Sequence, residues 1–191
     1  MFLRSILPIA AVVALAIAGP AAAQTRVVTP DGKGSMVLPQ GMERHPLAND
    51  ADGKISVIIR LPGQTGLDWG GICVASFSTP DSPTTKENWA LIASMYSSDP
   101  EGKGRERATK NGHSFTKLVE NRSLTSNTGW AGWFFAYQQV HKDGTNQTLV
   151  NTGSQLTPTL RLIASCTSDS ALFTKTELDL IHRFVASASA N

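Results

Sequence analysis

The side chains best suited to chemistry in this chain are two cysteines, Cys73 and Cys166, and four histidines, His45, His113, His141 and His182. The cysteines have no CxxC spacing, so neither redox catalysis nor zinc ligation has support in the pattern. None of the histidines has a second ligand at metal-site spacing, and all four read as surface or partly buried imidazoles. No G-x-S-x-G elbow is present. GKG occurs at 32–34 and again at 102–104, each time without the remaining glycine and the Ser/Thr of a phosphate loop. The acid pairs Asp50 with Asp52 and Asp99 with Glu101 lie in polar stretches lacking the regular oxygen ligands and later Glu of a calcium loop. These residues imply no catalytic constellation, no metal and no cofactor.

What the cysteines do offer is a bond to each other. In ICVASF, Cys73 shares a strand face with Ala75 and Phe77; in LRLIASC, Cys166 shares one with Leu160, Leu162 and Ala164. Both thiols point to core faces, and an even count in an exported protein favours a disulfide. Two buried free thiols are the competing reading.

Export is read from residues 1–23. A single basic residue, Arg4, precedes an apolar run from Ile6 to Ala18, which Gly19 and Pro20 break before Ala21, Ala22 and Ala23. That is the order of a secretory signal peptide cleaved after Ala23. The run falls short of the roughly 20 residues a spanning helix needs. No later segment is long and apolar enough to span a bilayer, so no integral membrane segment is expected after cleavage. The formal charge is +2 and falls by one when Arg4 is removed. So weak a balance gives no electrostatic ground for a nucleic-acid partner. The expected location is periplasmic or secreted, in a bacterium.

The elements that would position any site follow from periodicity. Residues 24–33 are polar and turn-rich and read as a flexible lead-in; residues 34–188 read as one α+β domain. SMVLP, KISVIIRL, ICVASF, HSFTKLVEN, WAGWFFAYQQVH, NQTLVNTG and TPTLRLIASC are the strand candidates, and Asp143-Gly144 marks a hairpin. A helix capped by Thr85 is expected over 86–96, with Trp89, Ile92, Ala93 and Tyr96 on one stripe. SSDPEGKGRERATKNG reads as a mobile, net-basic loop, either a solvated connection or a segment able to touch an acidic partner or an anionic headgroup. A last helix starts at Thr174, whose spacing to Glu177 is that of a capping box, and buries Leu178, Ile181, Phe184 and Val185. The fold class is therefore α+β, an antiparallel β-sheet flanked by an early helix and a C-terminal amphipathic helix.

WAGWFFAYQQV, residues 130–140, concentrates two Trp, two Phe and one Tyr. Alternation puts Trp130, Gly132, Phe134 and Ala136 on one face and Ala131, Trp133, Phe135 and Tyr137 on the other. A strand apolar on both sides is covered on both sides, which the two helices could do. The competing reading keeps Trp133, Phe135 and Tyr137 as an exposed aromatic binding face. Trp69, between glycines in GLDWGG, is the other candidate anchor.

SMVLPQGM, with Leu38, Pro39 and Gly41, resembles the opening strand and turn of PsbP-like (Mog/PsbP) domains. Glu87-Asn88 before a helix and LRLIAS before TELDLIHRF extend the likeness over residues 34–188; Met42 departs from it, standing where such domains often carry an aromatic. The resemblance implies a sheet flanked by helices and a non-catalytic role in binding and assembling protein complexes. The functional expectation is an exported binding or assembly factor of the cell envelope, whose partner is another envelope protein. A periplasmic inhibitor presenting residues 99–112 as a protruding loop, and a small hydrolase with a hidden site, are the alternatives.

Overall fold

The computed structural model describes residues 25–45, 53–60, 69–168 and 172–191. The expected leader, Asp50, Asp52 and residues 61–68 lie outside the described residues.

Among the described residues, two sheets and three helices are arranged in layers. In chain order the strands are β1 (Thr25–Val28), β2 (Gly34–Leu38), β3 (Met42–Arg44), β4 (Lys54–Ile59), β5 (Gly71–Ser78), β6 (Ser114–Thr125), β7 (Ala131–Val140), β8 (Asn146–Thr157), β9 (Leu160–Ser168) and β10 (Ser189–Ala190). The helices are α1 (Lys86–Ser98), α2 (Pro100–Lys110) and α3 (Lys175–Ala186). The larger sheet has seven strands in the order β3-β4-β5-β9-β8-β7-β6, every neighbouring pair antiparallel. A smaller sheet has the order β1-β2-β10. The α+β architecture expected from the sequence is present.

β7 has β8 on one side and β6 on the other, and its alternation feeds two cores. Phe134 and Ala136 join the core made with α3 and the small sheet, which includes Met36, Leu38, Ile181, Phe184 and Val185. Trp133, Phe135 and Tyr137 join the core under α1 and α2, with Trp89, Ala93 and Ala108. Burying each such aromatic contributes about 1.5–3 kcal/mol. α3 starts as expected: the Glu177 carboxylate accepts from Thr174 N at 2.7 Å while Glu177 N donates to Thr174 Oγ1 at 3.3 Å.

Cys73 and Cys166 form a disulfide. The pairing follows from register, since β5 and β9 are neighbours and the two cysteines stand directly opposite each other.

The structure differs from the sequence reading in several places. Residues 25–28, expected in the flexible lead-in, pair with β2 as β1, because Val27 opposite Met36 has the core to bury into. The mobile loop expected after α1 is instead α2. Ile92, expected on the buried stripe of α1, lies at its exposed margin, because Trp89 and Ala93 are the residues that turn inward. Trp130 precedes β7 and so escapes its alternation, joining the α1–α2 core and not the opposite face. Among the described residues no helix is long and apolar enough to cross a membrane.

Candidate functional site

The aromatic face of β7 is roofed by α1 and α2. Thr85 caps α1, its hydroxyl accepting from Asn88 N at 3.2 Å, and the helix then turns Trp89 and Ala93 to the sheet. The Trp89 indole donates to Ala131 O at 2.7 Å. The Tyr96 ring stacks on Trp133 with centroids 4.1 Å apart and planes within 9°. Trp133, Phe135 and Tyr137 are therefore buried and form no exposed aromatic surface.

The layer is incomplete at one place. Between α2, the end of α1 and the sheet lies a cleft of about 220 Å³, lined by Tyr96, Lys103, Glu106, Arg107, Lys110, Phe135 and Asn151. Phe135 is thus the member of the predicted aromatic set that lines it. Lys103, Arg107 and Lys110 recur on one side of α2, while Gly104 and Ala108 are its buried seat on the sheet. Lys103 pairs with Glu106 at 3.2 Å; Arg107 and Lys110 make no ion pair among the described residues.

Two polar atoms beneath α2 have no hydrogen-bond partner: Tyr137 OH and Asn151 Nδ2. Burial pushes the Tyr137 phenol up to about 12, and the charge of Arg107 acts in the opposite direction. The phenol stays protonated at neutral pH. Asn151 is oriented by Trp133, whose indole N–H donates to its Oδ1 at 3.0 Å. An indole N–H can only donate, so the amide must offer Oδ1 there and keep its NH2 group free.

A second feature lies on the outer side of the same roof. Leu91, Ile92 and Met95 are 67%, 38% and 65% exposed. Leu91 and Met95, four residues apart, stand side by side on the side of α1 opposite Trp89 and Ala93. Sequence reasoning assigned α1 one apolar stripe; the helix carries apolar residues on two sides.

The other candidates are placed as follows. Trp69 is half-buried, its ring edge-on to His45 with centroids 5.3 Å apart. His113 and His141 come together, ring centroids 4.3 Å apart, and His141 Nδ1 lies 3.4 Å from the Asp143 carboxylate. The trio joins the start of β6 to the β7–β8 turn, and none of the three lines the cleft. His182, on α3, packs edge-on to Phe134. No group of three or more His, Cys, Asp or Glu gathers into a possible metal site among the described residues. The residue that sequence reasoning missed is Asn151; the basic residues of 99–112 were legible as a net-basic segment, and what was missed is that a helix aligns Lys103, Arg107 and Lys110 on one side.

No family model matches the chain, and no curated protein is significantly similar to it. Solved structures with a similar arrangement of strands and helices do exist. The Ran-binding protein Mog1p of Saccharomyces cerevisiae is 16% identical, with 86% of this chain and 94% of that chain covered, at a TM-score of 0.48. The PsbP (CyanoP) of Synechocystis is 11% identical, with 96% and 99% covered, at 0.46. A protein from Bacteroides thetaiotaomicron is 14% identical over 88% of this chain, at 0.47, and this chain spans 48% of its length. The PsbP/Mog-like resemblance read from the sequence has these counterparts. They are likenesses of arrangement, and no residue role passes from them to this chain.

Proposed function

We propose that the protein is an exported, non-catalytic binding or assembly factor of the bacterial cell envelope that acts through protein–protein contact. The observation that carries this reading is the outer face of α1. A helix already seated through Trp89 and Ala93 gains nothing in its own fold from Leu91 and Met95 exposed side by side, whereas a partner can bury them. Trp133 packs from beneath against Trp89 and Tyr96 of α1, and on this reading the contact surface is the opposite, outer face of that helix. The disulfide between Cys73 and Cys166 agrees with an oxidising compartment. Trp69, half-buried at the sheet's other end, is a second, separate candidate anchor.

The test is capture from the native envelope fraction by the wild type, by the double variant Leu91→Glu with Met95→Glu, and by Trp69→Ala, each first checked for folding by circular dichroism. A partner held by the wild type should be lost at least tenfold, about 1.4 kcal/mol, by the folded α1 double variant. Retention of every partner by that variant removes α1 as the contact face. Loss confined to Trp69→Ala moves the face to the other end of the sheet.

A further inference from the structure

We propose that the cleft between α2 and the sheet binds a small molecule through its carboxylate or phosphate, with Lys103, Arg107 and Lys110 supplying the charge and the Asn151 amide the buried hydrogen bond. This ligand site is distinct from the outer face of α1 and does not depend on it.

The cleft is built for an acceptor. Asn151 is only 2% exposed, its Oδ1 is committed to the Trp133 indole, and its Nδ2 has no partner. A buried donor left unsatisfied is costly, so a group that accepts from it is favoured there. Phosphate and ionised carboxylate are acceptors only, as is required.

The charge agrees in sign. Three cations line a cavity that has one carboxylate, and that carboxylate, Glu106, is already paired with Lys103. Cations are favoured in the last turn of a helix by its dipole, which accounts for Arg107 and Lys110 being in α2. It does not account for an unpartnered amide beneath them. The volume sets the ligand's size. About 220 Å³ is roughly seven waters' share of liquid volume, below the range of drug-sized pockets. Phe135 and Tyr96 add an aromatic wall, so a compact carboxylate or phosphate with little else attached matches the space.

Isothermal titration at low salt tests this with three probes: benzoate, its neutral isostere benzamide, and inorganic phosphate. The wild type should bind benzoate or phosphate, benzamide at least tenfold more weakly than benzoate, and added salt should weaken the interaction. Benzoate alone binding identifies a carboxylate ligand; phosphate alone binding identifies a phosphate one. Asn151→Asp keeps an oxygen for Trp133 but turns the donor into a second acceptor, and should lose at least tenfold in affinity. Arg107→Gln, on the rim, should weaken binding several-fold while leaving the fold intact, and decides the matter if Asn151→Asp does not fold. No binding of either anion, equal affinity for benzamide and benzoate, or undiminished binding by both variants overturns the proposal.

Discussion

The packing around Trp133 shows how one residue constrains several others. Its indole is held by the hydrogen bond to Asn151 and by the stacked Tyr96 ring, and Gly153 stands opposite it in β8. A Cβ at Gly153 would meet Cζ2 and Cη2 of that indole and come within 2.8 Å of Ile163 Cδ1. The ring cannot rotate away without breaking the Asn151 bond. Gly153→Ala should therefore cost about 1–3 kcal/mol by overpacking, read as a lower urea midpoint with altered near-ultraviolet circular dichroism. An unchanged midpoint would show that Trp133 yields freely, and would weaken the case that it fixes the Asn151 amide. Alternation within WAGWFFAYQQV was enough to place Phe134 and Ala136 apart from Trp133, Phe135 and Tyr137. It could not announce Asn151 or Gly153, because a polar residue and a glycine in NQTLVNTG look like a solvent face until a neighbouring strand supplies the indole.

α2 is the element that a reading of apolar periodicity misses, and the reason is physical. Its buried residues are Gly104 and Ala108, so it has no apolar stripe to detect, and Gly102 and Gly104 both disfavour helix. Gly104 is there for close approach: a Cβ would lie 3.0 Å from Phe115 Cε2 and 3.2 Å from the Tyr137 ring. What does specify the helix is its ends. Asp99 caps it, accepting from Gly102 N at 2.9 Å; Pro100 opens it, Glu101 sits in the first turn, and Arg107 and Lys110 are in the last. α3, with both a capping box and an apolar stripe, was legible from either signal. With so little buried, α2 should depend heavily on its cap. Asp99→Ala should cost about 1 kcal/mol and, being local, should speed amide exchange across residues 103–110 roughly fivefold while β7 and β8 exchange as before. Unaltered exchange in α2 would mean that packing on the sheet, not capping, maintains the helix. The inhibitor reading loses its footing at this scale, since the protruding loop it required is a helix laid on the sheet.

At the scale of the whole molecule, the sequence specified strands and faces but not their order. Each strand's pattern says which side is buried; none says that β5 lies beside β9, a neighbour reached only after two helices and three strands. The cysteine pair carried part of that information, because a bond between them requires β5 and β9 to be within reach. Cys73 and Cys166 are fully buried and 93 residues apart in sequence. On the chain-entropy account, closing a loop of that length restricts the unfolded chain by about 4–5 kcal/mol, against total stabilities of about 5–15 kcal/mol for single domains. The same two strands are also paired along their length from Gly71 with Ser168 to Ser78 with Arg161, and both cysteines face a packed core, so the native ladder does not need the bond to define its register. The expected result is a reduced protein that still folds but is far less robust. Unfolded in urea with reductant and then refolded under reductant, it should regain its native far-ultraviolet spectrum while its urea midpoint falls by at least about 1 M relative to the oxidised form. An equal midpoint in both forms would show that the unfolded chain is already restricted without the bond. Failure to refold would show that the ladder cannot find its register unaided, and that oxidation must accompany folding.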